Sequence, residues 1–254
     1  MENSDRTTLI LEIPYAGLGD HLFHSHLPEI AKKDFGFHQV LISNHSPVRH
    51  PDYQKLVWES KPFVDGFTEA RGITCSIEEM LKIVDADHNL LDRIMQHYGL
   101  DNGSRWNEPK IYYTPKFREE FACSIYDPNY LSWVGNVDRY DAMVYFKTHG
   151  FTFDKVMSIR SEKCLYVPAD KTQFCTTPTL FDFCDLIHSS KRLYCLTSGT
   201  ATIAAALGKA ATVFYGAEQD PGFRHSKLHH YLLIQNSFWG RLRAKFSRSF
   251  GKHA

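Results

Sequence analysis

The 254-residue chain has no excess of charge of either sign: 29 Lys and Arg balance 29 Asp and Glu, and the formal net charge is zero. Without a basic field, nucleic acid is not an expected partner, and any charged ligand must be met by a local arrangement. Paired cysteines are missing too. The six cysteines, Cys75, Cys123, Cys164, Cys175, Cys184 and Cys195, stand singly, with neither a C-x-x-C pair nor zinc-finger spacing. That pattern offers no zinc site and predicts reduced core thiols. No apolar run reaches the roughly 18 residues of a membrane span, and the first thirty residues hold no apolar h-region with a small-residue cleavage site. A cytoplasmic location is expected. What the chain does have is 43% hydrophobic and 14% aromatic residues, enough to bury a full core in one large or two small domains.

Strand-like and helix-like runs alternate. "TTLILEI" is followed by helix-like "HLFHSHLPEIAKKDFG", then by "HQVLIS", by "HPDYQKLVWESKPFVDGF" and by the amphipathic "CSIEEMLKIVDADHNLLDRIMQHYG". Alternation of this kind predicts βα units around a parallel sheet. The rhythm lapses over 101–120, "DNGSRWNEPKIYYTPKFREE", which is read as a linker. It then restarts with "FACSIYD" closed by Asp127 and Pro128, the helix "VDRYDAMVYFKTHG", and the strand-like "KVMSIRS" and "KCLYVP". After these come "TPTLFDFCDLIHSS", the strand "RLYCLTS", the helix "GTATIAAALGK" and the strand "ATVFYG". In "TPTLFDF" either Thr177 or Thr179 can cap, and Pro178 suits a first helical turn. Two α/β halves, residues 1–115 and 116–254, are therefore expected to face a central cleft.

Two junctions carry chemistry. In "YAGLGDHLFHSHLPE", residues 15–29, a strand feeds a glycine turn and then a helix. Unpaired N–H groups at such a start attract anions, and Gly17 and Gly19 either admit a ligand to the turn or only relax a tight bend. Asp20 is either an N-cap or first-turn acid favoured by the helix dipole or a carboxylate aimed at a ligand. In the second junction, Thr197-Ser198-Gly199-Thr200 leads from a buried strand into a helix of small residues, so that hydroxyls and N–H groups converge where a phosphate fits. A plain strand-to-helix junction with a Ser or Thr cap is the alternative.

These two segments resemble the ADP-heptose:lipopolysaccharide heptosyltransferases, glycosyltransferases of GT-B fold. "TSGTATIAAALGKAATVFYG" is similar to the family's D-S-G-x-x-H-[LI]-x-A-A-L-x-K-P run with its apolar strand and F-G, with Ser198, Gly199, Ile203, Ala205, Ala206, Leu207, Lys209 and Gly216 in register. "AGLGDHLFHSHLPEI" is similar to the family's G-x-G-D turn. Thr197 stands where the family usually has Asp, Thr202 where it has His, and the family's K-x-W segment has no clear equivalent.

The resemblance implies a GT-B-like α/β fold with two Rossmann-like parallel-sheet domains. It implies a nucleotide-diphosphate sugar donor held by Thr197, Ser198, Gly199, Thr200 and Thr202, and an acceptor hydroxyl on a bacterial surface glycan or glycolipid. It further implies Asp20 as the general base of an inverting transfer, with no bound metal and no cofactor. Glu218, just beyond the "VFYG" strand, is either a contact for a ribose or sugar hydroxyl or a solvated loop acid. His21, His24 and His26 do not have the spacing of an H-E-x-x-H zinc helix. The tail 238–254 spaces Phe238, Leu242, Phe246 and Phe250 by fours among arginines and a lysine. Such a basic amphipath suits the inner face of the cytoplasmic membrane, or packing across to the first domain. Two other functions keep the fold: a nucleotide-sugar epimerase, and a non-catalytic module that binds nucleotide-sugar.

Overall fold

In the computed structural model, residues 7–235 are described, apart from 132, 160–162 and 169–172. The basic tail lies outside these residues. Strand β1, Thr8–Leu11, buries Leu9 and Leu11 on alternate positions. The chain then turns at Pro14–Gly17 into helix α1, Leu18–His24. The single helix expected over 21–36 is two, because Pro28 falls at the start of α2, Leu27–Lys33. Proline lacks the N–H that a continuous helix would need there.

Strands β2, Gln39–Ser43, and β3, Gly66–Thr68, complete a parallel sheet in the order β1-β2-β3. Ile73 adds an isolated parallel bridge to Leu11 on the other side of β1. Between β2 and β3 lie α3, Pro51–Gln54, and a π-helical turn, Lys55–Glu59. The long amphipathic run over 75–99 also divides, into α4, Ile77–Leu81, and α5, Leu90–His97. Asp85 Oδ1 accepts from the Asp87 and His88 N–H groups, and Asn89 opens α5 with a capping box closed by Asp92. Side chains that satisfy backbone in this way compete with helix and end it.

The second sheet holds β4, Ser124–Tyr126, β5, Lys155–Met157, β6, Gln173–Cys175, β7, Arg192–Leu196, β8, Thr212–Gly216, and β9, His230–Ile234. Its order is β6-β5-β4-β7-β8-β9, all pairs parallel. Numbered within this half, the order is 3-2-1-4-5-6, the doubly wound arrangement of Rossmann folds. Helices α6, Arg139–Thr148, α7, Leu180–Ser189, and α8, Gly199–Ala206, connect the strands. Thr179 caps α7 in a capping box with Asp182, which leaves Pro178 outside the helix rather than in its first turn. "KCLYVP" makes only an isolated bridge, Cys164 to Asn129.

Successive residues of the second sheet enter different cores, as expected when both faces are covered. Ile125, Leu193, Cys195 and Val213 face the large core that also contains Leu22, Leu27 and Leu90 of the first half. Tyr126, Tyr194, Leu196 and Phe214 face a second core with Phe146 of α6. The large core thus runs through both halves, and α1 packs on α8. Among the described residues no helix is long and apolar enough to cross a membrane.

Candidate active site

In a doubly wound sheet, ligands bind beyond the carboxyl ends of the strands where the order reverses. In the second sheet that point lies between β4 and β7, which are followed directly by Asp127 and Thr197. In the first sheet it lies between β1 and the Ile73 bridge, where the 14–17 turn opens α1. The two switch points meet. A Cβ added at Gly19 would lie 3.7 Å from Thr202 Oγ1, and one added at Gly199 would lie 3.9 Å from Gly19 N. The glycine turns and helix starts of the two halves therefore lie so close that a methyl group on either glycine would be in van der Waals contact with the other half.

They open onto one cavity of about 560 Å³. Its first-half wall includes Gly17, Gly19, Asp20 and Phe23, followed by Arg49 and His50 of the loop before α3 and by Asp52 and Tyr53 of α3. Its second-half wall includes Asp127, Asn129, Tyr130 and Leu131, the residues 177–180 before and at the start of α7, and 197–203. Phe223 and His225 complete it.

Asp20 sits in the first turn of α1, not at its N-cap, which is Gly17. Burial pushes its carboxyl up to about 6, against the lowering effects of the Gly17 N–H and the Arg49 charge. Desolvation thus outweighs both hydrogen bonding and the nearby cation. The glycine before it has a specific reason: a Cβ at residue 17 would collide with Asp20 Oδ2. Gly17 has ordinary extended backbone, so it makes room for the Asp20 carboxylate rather than for a left-handed turn. The anion seated at this helix start is the protein's own.

The second-half hydroxyls have distinct partners. Thr200 Oγ1 donates to Asp127 Oδ2 at 2.6 Å, while Asp127 Oδ1 accepts from Asn129 N at 3.0 Å and Asn129 Nδ2 at 2.7 Å. Thr197 Oγ1 accepts from Gln219 Nε2. Thr202 Oγ1 donates back to Ser198 O at 3.4 Å. Ser198 Oγ caps nothing and has no hydrogen-bond partner among the described residues. All four line the cavity, and so does Gly199.

Glu218 is not brought there. It is exposed, at a left-handed φ of 64°, and accepts from Asn136 Nδ2 at 2.5 Å. Gln219 turns inward in its place. The three histidines of α1 and its exit are spent on packing. His21 Nδ1 accepts from Trp58 Nε1–H and its Nε2 faces Pro47 O, His24 Nδ1 faces Asp20 O at 2.8 Å, and His24 and His26 are fully buried.

Asp127, Arg49 and His225 are cavity residues that sequence reasoning did not single out as functional. Only Asp127 left a trace, as the residue closing a strand; its role depends on strand order, which spacing does not reveal. His225 lies 2% exposed against the Phe23 ring, and burial pushes its imidazole down to about 3.

The fold is the α/β, GT-B-like fold of known glycosyltransferase structures. The chain is similar over 98% of its length to 90% of the glycosyl transferase family 9 structure from Veillonella parvula DSM 2008, with TM-score 0.50 and 12% identity. It is similar over 89% of its length to 90% of the E. coli ADP-heptose lps heptosyltransferase II, with TM-score 0.54 and 11% identity. Against TibC, the iron-containing dodecameric glycosyltransferase of enterotoxigenic E. coli H10407, the TM-score is 0.59 at 13% identity; 90% of this chain matches 63% of that one. At such identities the likeness is one of fold. No protein-family model and no curated protein sequence matches the chain.

Proposed function

We propose that the protein is an inverting glycosyltransferase that moves a sugar from a nucleotide-diphosphate sugar to a hydroxyl of a bacterial surface glycan. The sugar is a heptose or a hexose-type sugar, and the acceptor is of the lipopolysaccharide, lipooligosaccharide or capsule kind. Residues 1–115 form the acceptor-side half and 116–254 the donor-side half. The observation that carries this is Asp20, a carboxylate tuned by burial to about 6, on the cavity wall across from the start of α8. A general base works best with a pKa near the working pH.

In the proposed reaction the acceptor oxygen attacks the anomeric carbon from the side of Asp20. A C–O bond forms, the bond from the anomeric carbon to the diphosphate oxygen breaks, and the hydroxyl proton passes to Asp20. The departing diphosphate takes the electron pair and is stabilised by the N–H groups of Gly199 and Thr200 and the hydroxyl of Ser198. No metal ion is assigned a role. Support for the acceptor class comes from the fold likeness to the lps heptosyltransferase.

A thermal-shift panel of nucleoside diphosphates and nucleotide-sugars tests the proposal. At about 100 times its dissociation constant, a true donor adds roughly 2.7 kcal/mol of apparent stability. Absence of a shift with every member of the panel removes the proposal. A shift accompanied by isomerised nucleotide-sugar, with no acceptor present, replaces it with an epimerase.

A further inference from the structure

The hydroxyls on either side of Gly199 differ in polarity, and the difference is set by a buried carboxylate. Asp127 is 4% exposed and Thr200 6% exposed, and both line the cavity. A threonine hydroxyl has one proton and two lone pairs. Thr200 gives its proton to Asp127 Oδ2, so only lone pairs remain for a ligand. A phosphate at neutral pH is likewise rich in acceptors and offers no proton in return. Thr200 therefore cannot serve a diphosphate through its hydroxyl, whereas the buried Ser198 hydroxyl engages no acceptor among the described residues and still has its proton to give.

A second acceptor lies in the same cavity. His225 Nδ1 faces Phe223 O at 3.2 Å, which fixes the proton on Nδ1 of the neutral ring. Its Nε2, in a side chain 2% exposed, is then a bare acceptor without a partner among the described residues.

Building on the nucleotide-sugar proposal, we propose that Asp127 is a positioning residue that turns Thr200 into an acceptor for a ligand hydroxyl, on the ribose or on the transferred sugar, next to the diphosphate held by Ser198 and the α8 N–H groups. One hydrogen bond of this kind is worth about tenfold in affinity.

The test is calorimetric titration of the full chain with a bound nucleoside diphosphate, its 2′- and 3′-deoxy analogues, and the matching nucleotide-sugar with and without each sugar hydroxyl. Wild type is expected to prefer one hydroxylated ligand over its deoxy analogue by roughly tenfold. The arm that shows the preference identifies ribose or sugar. Thr200→Val is expected to abolish that preference while binding the deoxy ligand as wild type does.

Asp127→Asn leaves Thr200 in place and reads the direction of the same hydrogen bond should the valine variant fail to fold. Its amide oxygen satisfies the Asn129 donors and its NH₂ faces Thr200, whose proton turns to the ligand; a ligand hydroxyl accepts that proton as readily as it donates its own. The discriminating probe is the fluoro analogue, which has no proton to give: wild type is expected to bind it as weakly as the deoxy ligand, and Asp127→Asn to bind it more tightly than the deoxy ligand. Ser198→Ala is expected to weaken hydroxylated and deoxy ligands alike. Preference over the deoxy ligand retained in Thr200→Val, or the fluoro analogue ranked alike by wild type and Asp127→Asn, with nucleotide still bound, overturns the role of the pair and leaves the donor proposal standing. Failure of wild type to bind any nucleotide overturns both.

Discussion

Asp20→Asn is expected to reduce sugar transfer by a factor on the order of 10²–10⁴ with little change in melting temperature. Asparagine keeps the size of the side chain and an oxygen able to accept from the Gly17 N–H, so the first turn of α1 retains its hydrogen bonding. It cannot take a proton from an acceptor hydroxyl. A first-turn acid with only a helix-dipole role would instead cost about 0.3–1 kcal/mol of stability and leave transfer intact. Transfer rates and melting curves on the same preparation separate the two, and near-normal transfer by a well-folded variant rules out Asp20 as the base.

Gly17→Ala is expected to lower transfer by roughly a hundredfold through the same carboxylate. The backbone at residue 17 is ordinary for alanine, but the new Cβ would collide with Asp20 Oδ2, the mobile end of a side chain that must move away. The fold should therefore survive while the carboxylate leaves its place on the cavity wall. The diagnostic is a double-mutant cycle. If Gly17 acts only by seating Asp20, adding Gly17→Ala to Asp20→Asn costs little more, whereas independent roles give multiplicative losses. Multiplicative loss would assign Gly17 a separate part, such as contact with the acceptor.

Much of this site was legible in the sequence, and what was illegible has identifiable causes. The turn at 14–20 stands out because an apolar β-branched run meets proline and two glycines. The 197–206 segment stands out because hydroxyls and small residues follow a buried strand. Both junctions meet at one cavity. Asp127 acquires its meaning only when β4 pairs with β7, a contact between residues far apart in the chain. Glu218, for which the sequence leaves open a sugar contact or a solvated loop acid, is exposed beside the Asn136–Ala217 bridge, on a left-handed backbone.

Short edge elements were also hard to read. Strands β3 and β6 have three residues each and, like β9, lie at a sheet edge, and the residues around β3 and β6 are not the apolar β-branched runs that mark the central strands. The divided helices at 18–33 and 77–97 look continuous in the sequence because their apolar periodicity runs on across Pro28 and the Asp85 turn, where backbone chemistry breaks it.

The pH dependence of kcat/KM for transfer tests the central claim, that the half-buried Asp20 in this cavity is the base, most directly. The carboxyl is raised by burial to about 6, so it is ionised and able to accept a proton above that pH and protonated below it. The rate is expected to fall about tenfold per unit as pH drops below 6, and this acid limb is expected to vanish from the residual activity of Asp20→Asn. A limb centred near 4, the range of an ordinary exposed aspartate, or one that persists in Asp20→Asn, would contradict it.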